Sequence, residues 1–233
     1  MKHVPRIYCE PLGNEIFELS QENSARLAVV LRLKEGSVFK AFNKIDGEWR
    51  CLVVSIRKKI IYAKREELLD SYKPSRIVAL AFCPIKQDRL KIMIEKCTEL
   101  GVTSFYPIQS EYTNAPMNLQ KMQWIAIGAT EQSERLDIPT FHDVLSFDNF
   151  VEHRPKEFVW ISAVERKIQA SHISELTLNE EPCGFIIGPE GGFSDHEKKT
   201  LAEKTTIVTL SKNILRTETA AIVCISHTLR NSN

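Results

Sequence analysis

The sequence predicts an α/β fold, a largely parallel sheet with helices wound against it, preceded by a small β-rich module. Three observations carry this expectation. Over roughly the first 70 residues, short β-branched runs are broken by turn residues, as in a small barrel. Beyond the polar, proline-containing stretch Asp70-Ser71-Tyr72-Lys73-Pro74-Ser75, apolar strands alternate with segments of helical period. Near the end, two such strands each run into a loop of distinctive composition, Gly188-Pro189-Glu190-Gly191-Gly192-Phe193-Ser194 and Ile214-Leu215-Arg216-Thr217-Glu218-Thr219-Ala220. The linker divides the chain into expected domains 1–70 and 71–233.

Taken in order, Ser20 can cap a first helix carrying Leu27, Val30 and Leu31 on one face, and Lys34-Glu35-Gly36 then turns into a strand from Val38 to Phe42. Asp46-Gly47 marks a hairpin turn between that strand and the next, Glu48 to Ile56, with a third from Ile60 to Arg65. Past the linker, Ile77 to Cys83 is continuously apolar, as a strand buried on both faces should be. Leu90, Met93, Ile94, Cys97 and Leu100 recur at helical spacing, and Gly101 stands where a helix stops. A short strand at Phe105 to Ile108 precedes a second helical face, Leu119, Met122, Ala126 and Ala129. Strands at Phe158 to Ser162, Phe185 to Gly188 and Ile207 to Leu210 continue the alternation, and Ser194 with Glu197 makes a capping box for a helix from Asp195 to Lys204. The last helix, Glu218 to Leu229, should bury Ile222, Val223 and Ile225.

The two loops are where chemistry is expected. Three glycines around a proline let backbone approach a ligand where a side chain would collide. The second loop opens into a helix whose free N–H groups lie near Thr217 to Ala220. Adjacent strand-to-loop exits at one sheet end form a crevice for a small molecule. A phosphate-cradling loop would need Gly-Lys-Ser/Thr, but Gly192 is followed by Phe193 and Ser194; a dinucleotide fingerprint would need G-x-G-x-x-G, which Gly188, Gly191 and Gly192 do not supply. A tight turn followed by a capped helix would explain the first loop alone. It does not ask for Arg216, Thr217 and Glu218 in the second.

Composition narrows the class. At 233 residues and net charge +1, the chain can hold real cores and is not a polyanion binder by bulk charge, although a total cannot reveal a basic face. The six cysteines, Cys9, Cys51, Cys83, Cys97, Cys183 and Cys224, are isolated and read as small core residues in a reducing compartment. No apolar run follows the N-terminus or approaches the ~18 residues of a membrane span, so a cytoplasmic protein is expected. The six histidines show no metal-ligand spacing, and no metal is expected.

The two loops resemble the signature segments of the bacterial RsmE family, 16S ribosomal RNA uracil-N3 methyltransferases of the SPOUT superfamily. Lys96-Cys97-Thr98-Glu99-Leu100-Gly101-Val102 and Glu131-Gln132-Ser133-Glu134-Arg135 resemble its other two blocks, in the same order. There are departures. Ser211, with Lys212-Asn213 after it, stands where the family usually has a glycine; Asn213 can supply a left-handed residue there instead. Asn23-Ser24-Ala25 replaces paired histidines, and some connections are short.

The resemblance implies a SPOUT sheet with a C-terminal trefoil knot behind a PUA-like RNA-binding barrel, a homodimer, and transfer of a methyl group from S-adenosylmethionine to uracil N3 in 16S ribosomal RNA, without metal. It places the cofactor against Ile187, Gly188, Gly191, Gly192, Leu210, Ser211, Ile214, Leu215, Thr217 and Ala220, largely through main-chain groups. Candidate bases for the N3 proton are Glu190, Glu218 and Glu131, and Arg216 and Arg135 are candidate donors to the oxygens that gain charge. For either of the loop glutamates, the alternative is a helix-terminal charge or a salt bridge. Arg6, Arg32, Lys34 and Arg135 are candidate RNA contacts, with Lys40, Lys44 and Arg50 as further charges; each alone is equally well explained as solvated surface. Two rivals remain open: a SPOUT enzyme acting on another RNA position, and an RNA-binding assembly protein without catalysis.

Overall fold

A computed structural model describes residues 4–164 and 170–229. The chain packs as two units, Met1–Pro74 with Thr130–Ile138, and Ser75–Ala129 with Pro139–Asn233.

In the first unit, β1 (Arg6–Tyr8), β2 (Ile16–Glu18), β3 (Val38–Asn43), β4 (Gly47–Arg57) and β5 (Ile60–Asp70) form one sheet in the order β1-β3-β4-β5-β2. The β3–β4 turn is tied by Asn43, whose Oδ1 accepts from the N–H groups of Ile45 and Asp46. Gly47 follows at φ 81°, and a Cβ there would sit 2.3 Å from the Asp70 carbonyl oxygen. The β4–β5 hairpin turns at Lys58 and Lys59, both at positive φ, 48° and 69°. Alternation along the strands puts Phe39, Ala41, Cys51, Val53, Ile61 and Ala63 on one buried face.

Helix α1 (Gln21–Ala25) is capped by Ser20, whose hydroxyl accepts from the Asn23 N–H, and runs into a π-helical turn at Arg26–Val30. That turn shifts the phase of the side chains. Leu27 is buried as expected, but Val30 is 71% exposed and Leu31 43% exposed, so the expected apolar face is reduced to Leu27. The residues that replace paired histidines are well used. Asn23 Nδ2 donates to the Tyr8 carbonyl at 2.9 Å, and the buried Ser24 hydroxyl accepts from the Ile61 N–H at 3.0 Å.

The second unit alternates β6 (Val78–Phe82), α2 (Gln87–Glu99), β7 (Ser104–Gln109), α3 (Leu119–Gln132, whose end from Thr130 onward belongs to the first unit), β8 (Thr140–Phe141), β9 (Leu145–Ser146), α4 (Phe147–His153), β10 (Val159–Ala163), β11 (Ser171–His172), β12 (Cys183–Ile187), α5 (Asp195–Lys204), β13 (Thr206–Thr209) and α6 (Thr217–Thr228). The sheet runs β11-β13-β10-β12-β6-β7-β8 with every described pairing parallel, and β9 pairs with β7. Its central strands β6 and β12 are buried along their whole length, which the unbroken apolar runs require. Helix α6 turns Ala221, Cys224 and Ile225 inward; Ile222 and Val223 are only half-buried, one step off the expected face. All six cysteines are buried and free, and burial pushes the thiol of Cys97 upward, as suits an inert core residue.

Candidate active site

The two loops leave the sheet from the C-terminal ends of β12 and β13, which are not neighbours. β10 lies between them, with Ala163 level with Ile187 on one side and with Val208 on the other. The expected adjacency of the two exits is thereby corrected, and the last residues of β10 become the floor of the crevice. Both loops bend over that floor and enclose a cavity of about 510 Å³, a size that suits a small-molecule ligand.

Ile187, Gly188, Gly192, Leu210, Ser211, Ile214, Leu215, Thr217 and Ala220 all line this cavity. Gly191 does not. Its nearest neighbour is Tyr112, whose Cβ would lie 3.2 Å from a Cβ at that position. Ala163, Val164, Pro189, Phe193, Thr209 and Asn213 also line it and were not foreseen from the sequence.

Each glycine of the first loop has its own reason. Gly192 has φ 74° and closes a turn in which its N–H donates to the Pro189 carbonyl at 2.9 Å. Gly188 has no Cβ because Phe193 occupies the space: a Cβ would be 2.9 Å from the ring. The loop is anchored where α5 begins. Ser194 and Glu197 form the full capping box, and the buried Glu197 carboxylate also accepts from the Glu111 N–H at 2.9 Å.

The second loop is held differently. His172 Nδ1 accepts from the Ser174 N–H, which leaves the ring proton on Nε2 facing the Leu210 carbonyl at 3.0 Å. Ser211 Oγ accepts from the Asn213 N–H at 3.0 Å, so the serine closes the local turn through its side chain. Asn213 is not among the residues at positive φ, which corrects the expectation of a left-handed residue there. Ile214 is 92% exposed at the mouth. Arg216 is the N-cap residue of α6; it lines the cavity, and among the described residues its guanidinium has no hydrogen-bond or ion-pair partner.

Of the three glutamates considered as bases, Glu190 alone lines the cavity. Its carboxylate is paired with Arg89, which reaches the same cavity from the first turn of α2. Glu218 is buried in the first turn of α6 and does not face the cavity; its Oε2 has no hydrogen-bond partner among the described residues. Glu131 belongs to the first unit, where Arg26 grips both its oxygens at 2.8 and 2.6 Å and the Tyr8 N–H donates to it at 3.0 Å. A carboxylate so saturated is a structural anchor.

Two of the expected RNA contacts are likewise spent on structure. Arg6 is buried, paired with Glu48, stacked over Phe42, and donates to the carbonyls of Thr130, Glu131 and Arg135, so its charge does not face a phosphate. Arg135 is mostly buried and bonded to Asp137 at 3.0 Å. Arg32 and Lys34 remain exposed.

Apolar side chains from β10, β12 and the second loop line the cavity together with the charged Arg89, Lys198, Arg216 and Glu190. Among the described residues no cluster of side chains could hold a metal ion, and no helix is long and apolar enough to cross a membrane.

Residues 72–229 match the RNA methyltransferase domain family, and residues 27–64 match the RNA methyltransferase PUA domain family. A ribosomal RNA small subunit methyltransferase E from Rickettsia conorii is 30% identical over 217 residues, spanning 91% of this chain and 89% of that protein. A Legionella pneumophila methyltransferase structure in complex with the cofactor SAM superposes with TM-score 0.88 at 28% identity, covering 99% of this chain and 98% of the other. A ribosomal RNA small subunit methyltransferase E from Neisseria gonorrhoeae, bound to S-adenosyl methionine, superposes with TM-score 0.86 at 26% identity, each chain covered to 98%.

Proposed function

This chain belongs to the ribosomal RNA small subunit methyltransferase E family, and from that membership we propose that it methylates N3 of a uracil in 16S ribosomal RNA, using S-adenosylmethionine. The observation that carries the reading is the meeting of both signature loops in one cavity whose lining includes Glu190 and Arg216. The residues present fit the cofactor. Ala163, Val164, Leu210, Leu215 and Ala220 would offer apolar contact to adenine, and loop N–H and C=O groups would serve its edges. When bound, the cofactor supplies an electrophilic methyl group on a sulfonium.

The chain must solve a different problem. Uracil N3 carries a proton and is a poor nucleophile until that proton leaves, and its departure spreads negative charge onto the two ring oxygens. In this reading Glu190, in the cavity lining, accepts the proton. Arg216 offers planar paired N–H donors to the charge that develops, and among the described residues no hydrogen-bond or ion-pair partner takes them up.

In this reading the first unit binds RNA as a PUA-like module, with Arg32 and Lys34 among its phosphate contacts, while the second unit carries the chemistry. The C-terminal segment threads a trefoil knot, and two copies pair, each completing its site near the other. The substrate is the small ribosomal subunit during maturation, in the cytoplasm.

Mass spectrometry of nucleosides from 16S ribosomal RNA tests the reaction. A strain lacking the gene should lose N3-methyluridine, and purified protein with S-adenosylmethionine should restore it to small subunits from that strain. Unchanged N3-methyluridine in the deletion strain, or methylation at another base, would overturn the proposal.

A further inference from the structure

Along its pairing edge uracil presents an acceptor, a donor and an acceptor: O4, N3–H and O2. A site that recognises this edge, and the anion left when N3 loses its proton, needs one acceptor flanked by a donor on each side. Within the signature loops the cavity offers the acceptor, Glu190, and one donor, Arg216. Arg135, the other donor considered from sequence, is bonded to Asp137.

Arg89 meets the missing requirement. It lines the same cavity, comes from α2 and not from either loop, and bonds through Nη1 to Glu190 Oε1. The pair is half-exposed, 31% for the arginine side chain and 42% for the glutamate, and a pair in that setting contributes little to stability. A guanidinium has five N–H groups in a rigid fork, so Nη1 can hold the carboxylate while other N–H groups stay available.

We infer that Arg89 is the second donor and a specificity residue: it holds the Glu190 carboxylate at N3–H and turns its remaining N–H groups to one uracil oxygen, while Arg216 takes the other. The row Arg89, Glu190, Arg216 is then donor, acceptor, donor. Cytosine presents a lone pair at N3 toward the carboxylate and an amino group toward an arginine, so it is refused by repulsion at two of three positions. The inference rests on the proposed uracil-N3 reaction and deepens it. In the transfer, the N3 proton passes to Glu190, the N3 electron pair forms the new bond to the methyl carbon, and the carbon–sulfur bond breaks with its pair remaining on sulfur. The positive charge of the sulfonium and the negative charge of the carboxylate are both discharged.

The test is steady-state methylation by the full-length protein of two RNA substrates, one with uridine at the target and one with 5-fluorouridine, whose N3–H is more acidic. Arg89→Ala should lower kcat on the uridine RNA about 10²- to 10³-fold, as loss of one donor to a developing anion does. Cofactor affinity by calorimetry and the melting temperature should stay close to wild type. On 5-fluorouridine RNA most of the deficit should disappear, because less stabilisation of the anion is needed. Arg89→Lys should recover only part of the rate on uridine RNA, having charge without the fork. An equal loss on both RNAs, a parallel loss of cofactor binding, or an unchanged rate would each overturn the role of Arg89. Failure of the wild-type protein to methylate the uridine RNA would instead dismiss the underlying reaction.

Discussion

Replacing Arg216 with alanine separates chemistry from architecture more cleanly than any other change at this site. Its guanidinium is exposed at the cavity wall and, among the described residues, has no partner. A purely structural Arg216 would pin Glu190 or Glu218, but Glu190 is held by Arg89, and Glu218 is buried with an oxygen that has no hydrogen-bond partner among the described residues. Removing the side chain therefore breaks no hydrogen bond or ion pair among the described residues, and stability should change by no more than about 0.5 kcal/mol. Cofactor affinity should fall little, because in the proposed binding mode adenine meets Ala163, Val164, Leu210, Leu215 and Ala220 and not the guanidinium. If the guanidinium meets charge that appears only as N3 ionises, kcat should fall about 10²- to 10³-fold, equivalent to roughly 2.7–4 kcal/mol of transition-state stabilisation. Lysine should rescue poorly, because it lacks the planar fork. The assay is kcat, cofactor Kd and melting temperature, measured on Arg216→Ala and Arg216→Lys together. A near-wild-type rate for the alanine variant would refute the argument, and so would a loss of stability or cofactor binding matching the loss of rate.

Three further changes follow from local geometry. Gly188→Ala would place a Cβ 2.9 Å from the buried Phe193 ring, which packs against Phe147, so overpacking should cost about 1–3 kcal/mol and weaken cofactor binding in the same variant; calorimetry showing intact binding would mean that the Phe193 wall is not part of the site. Lys59→Gly relieves a left-handed L-residue at φ 69°, worth about 1–2 kcal/mol, against about 0.5–1 kcal/mol of added chain entropy, so urea unfolding should show a small gain in stability. Glu48 is buried, which alone would raise its pKa, yet hydrogen bonds from Lys40 and Arg6 and their charges hold it below the ordinary carboxylate value. Its contribution is present above the unfolded carboxylate pKa, about 4.3, and is lost as pH falls through the lower folded value; the stability difference between wild type and Glu48→Gln should shrink below about pH 4 in urea titrations.

The sequence makes the central strands and the capped helix legible because local chemistry decides them. The runs ending at Phe82 and Ile187 are apolar on both faces, and Ser194 with Glu197 marks the start of α5 to the residue. Strands β8, β9 and β11 have two residues each, too few for any periodicity to register. The Leu27, Val30, Leu31 face fails for another reason: its helical period assumes i to i+4 turns, and the π-helical turn at Arg26–Val30 rotates the later residues outward. The inclusion of Thr130–Ile138 in the first unit is also invisible locally, because it depends on Arg6 finding three carbonyls more than a hundred positions away.

At the site the same division holds, and it separates backbone from charge. Residues that bring main chain to the cavity, such as Gly188, Gly192, Leu210 and Leu215, are readable because glycine and strand-end positions constrain where the backbone goes. Ala163 and Val164 are not, since only the placement of β10 between β12 and β13 brings them to the floor. For the charged residues, sequence shows that a side chain is ionic but not which ion it meets. Arg6, Arg135 and Glu131 look as available as Arg216 until their partners are seen. Arg89 is the opposite case: an unremarked residue at the start of an amphipathic helix, 101 positions from Glu190, acquires its meaning only when α2 brings it to the cavity rim. Charge gathered at one cavity is a tertiary property, and it is the property on which the proposed chemistry turns.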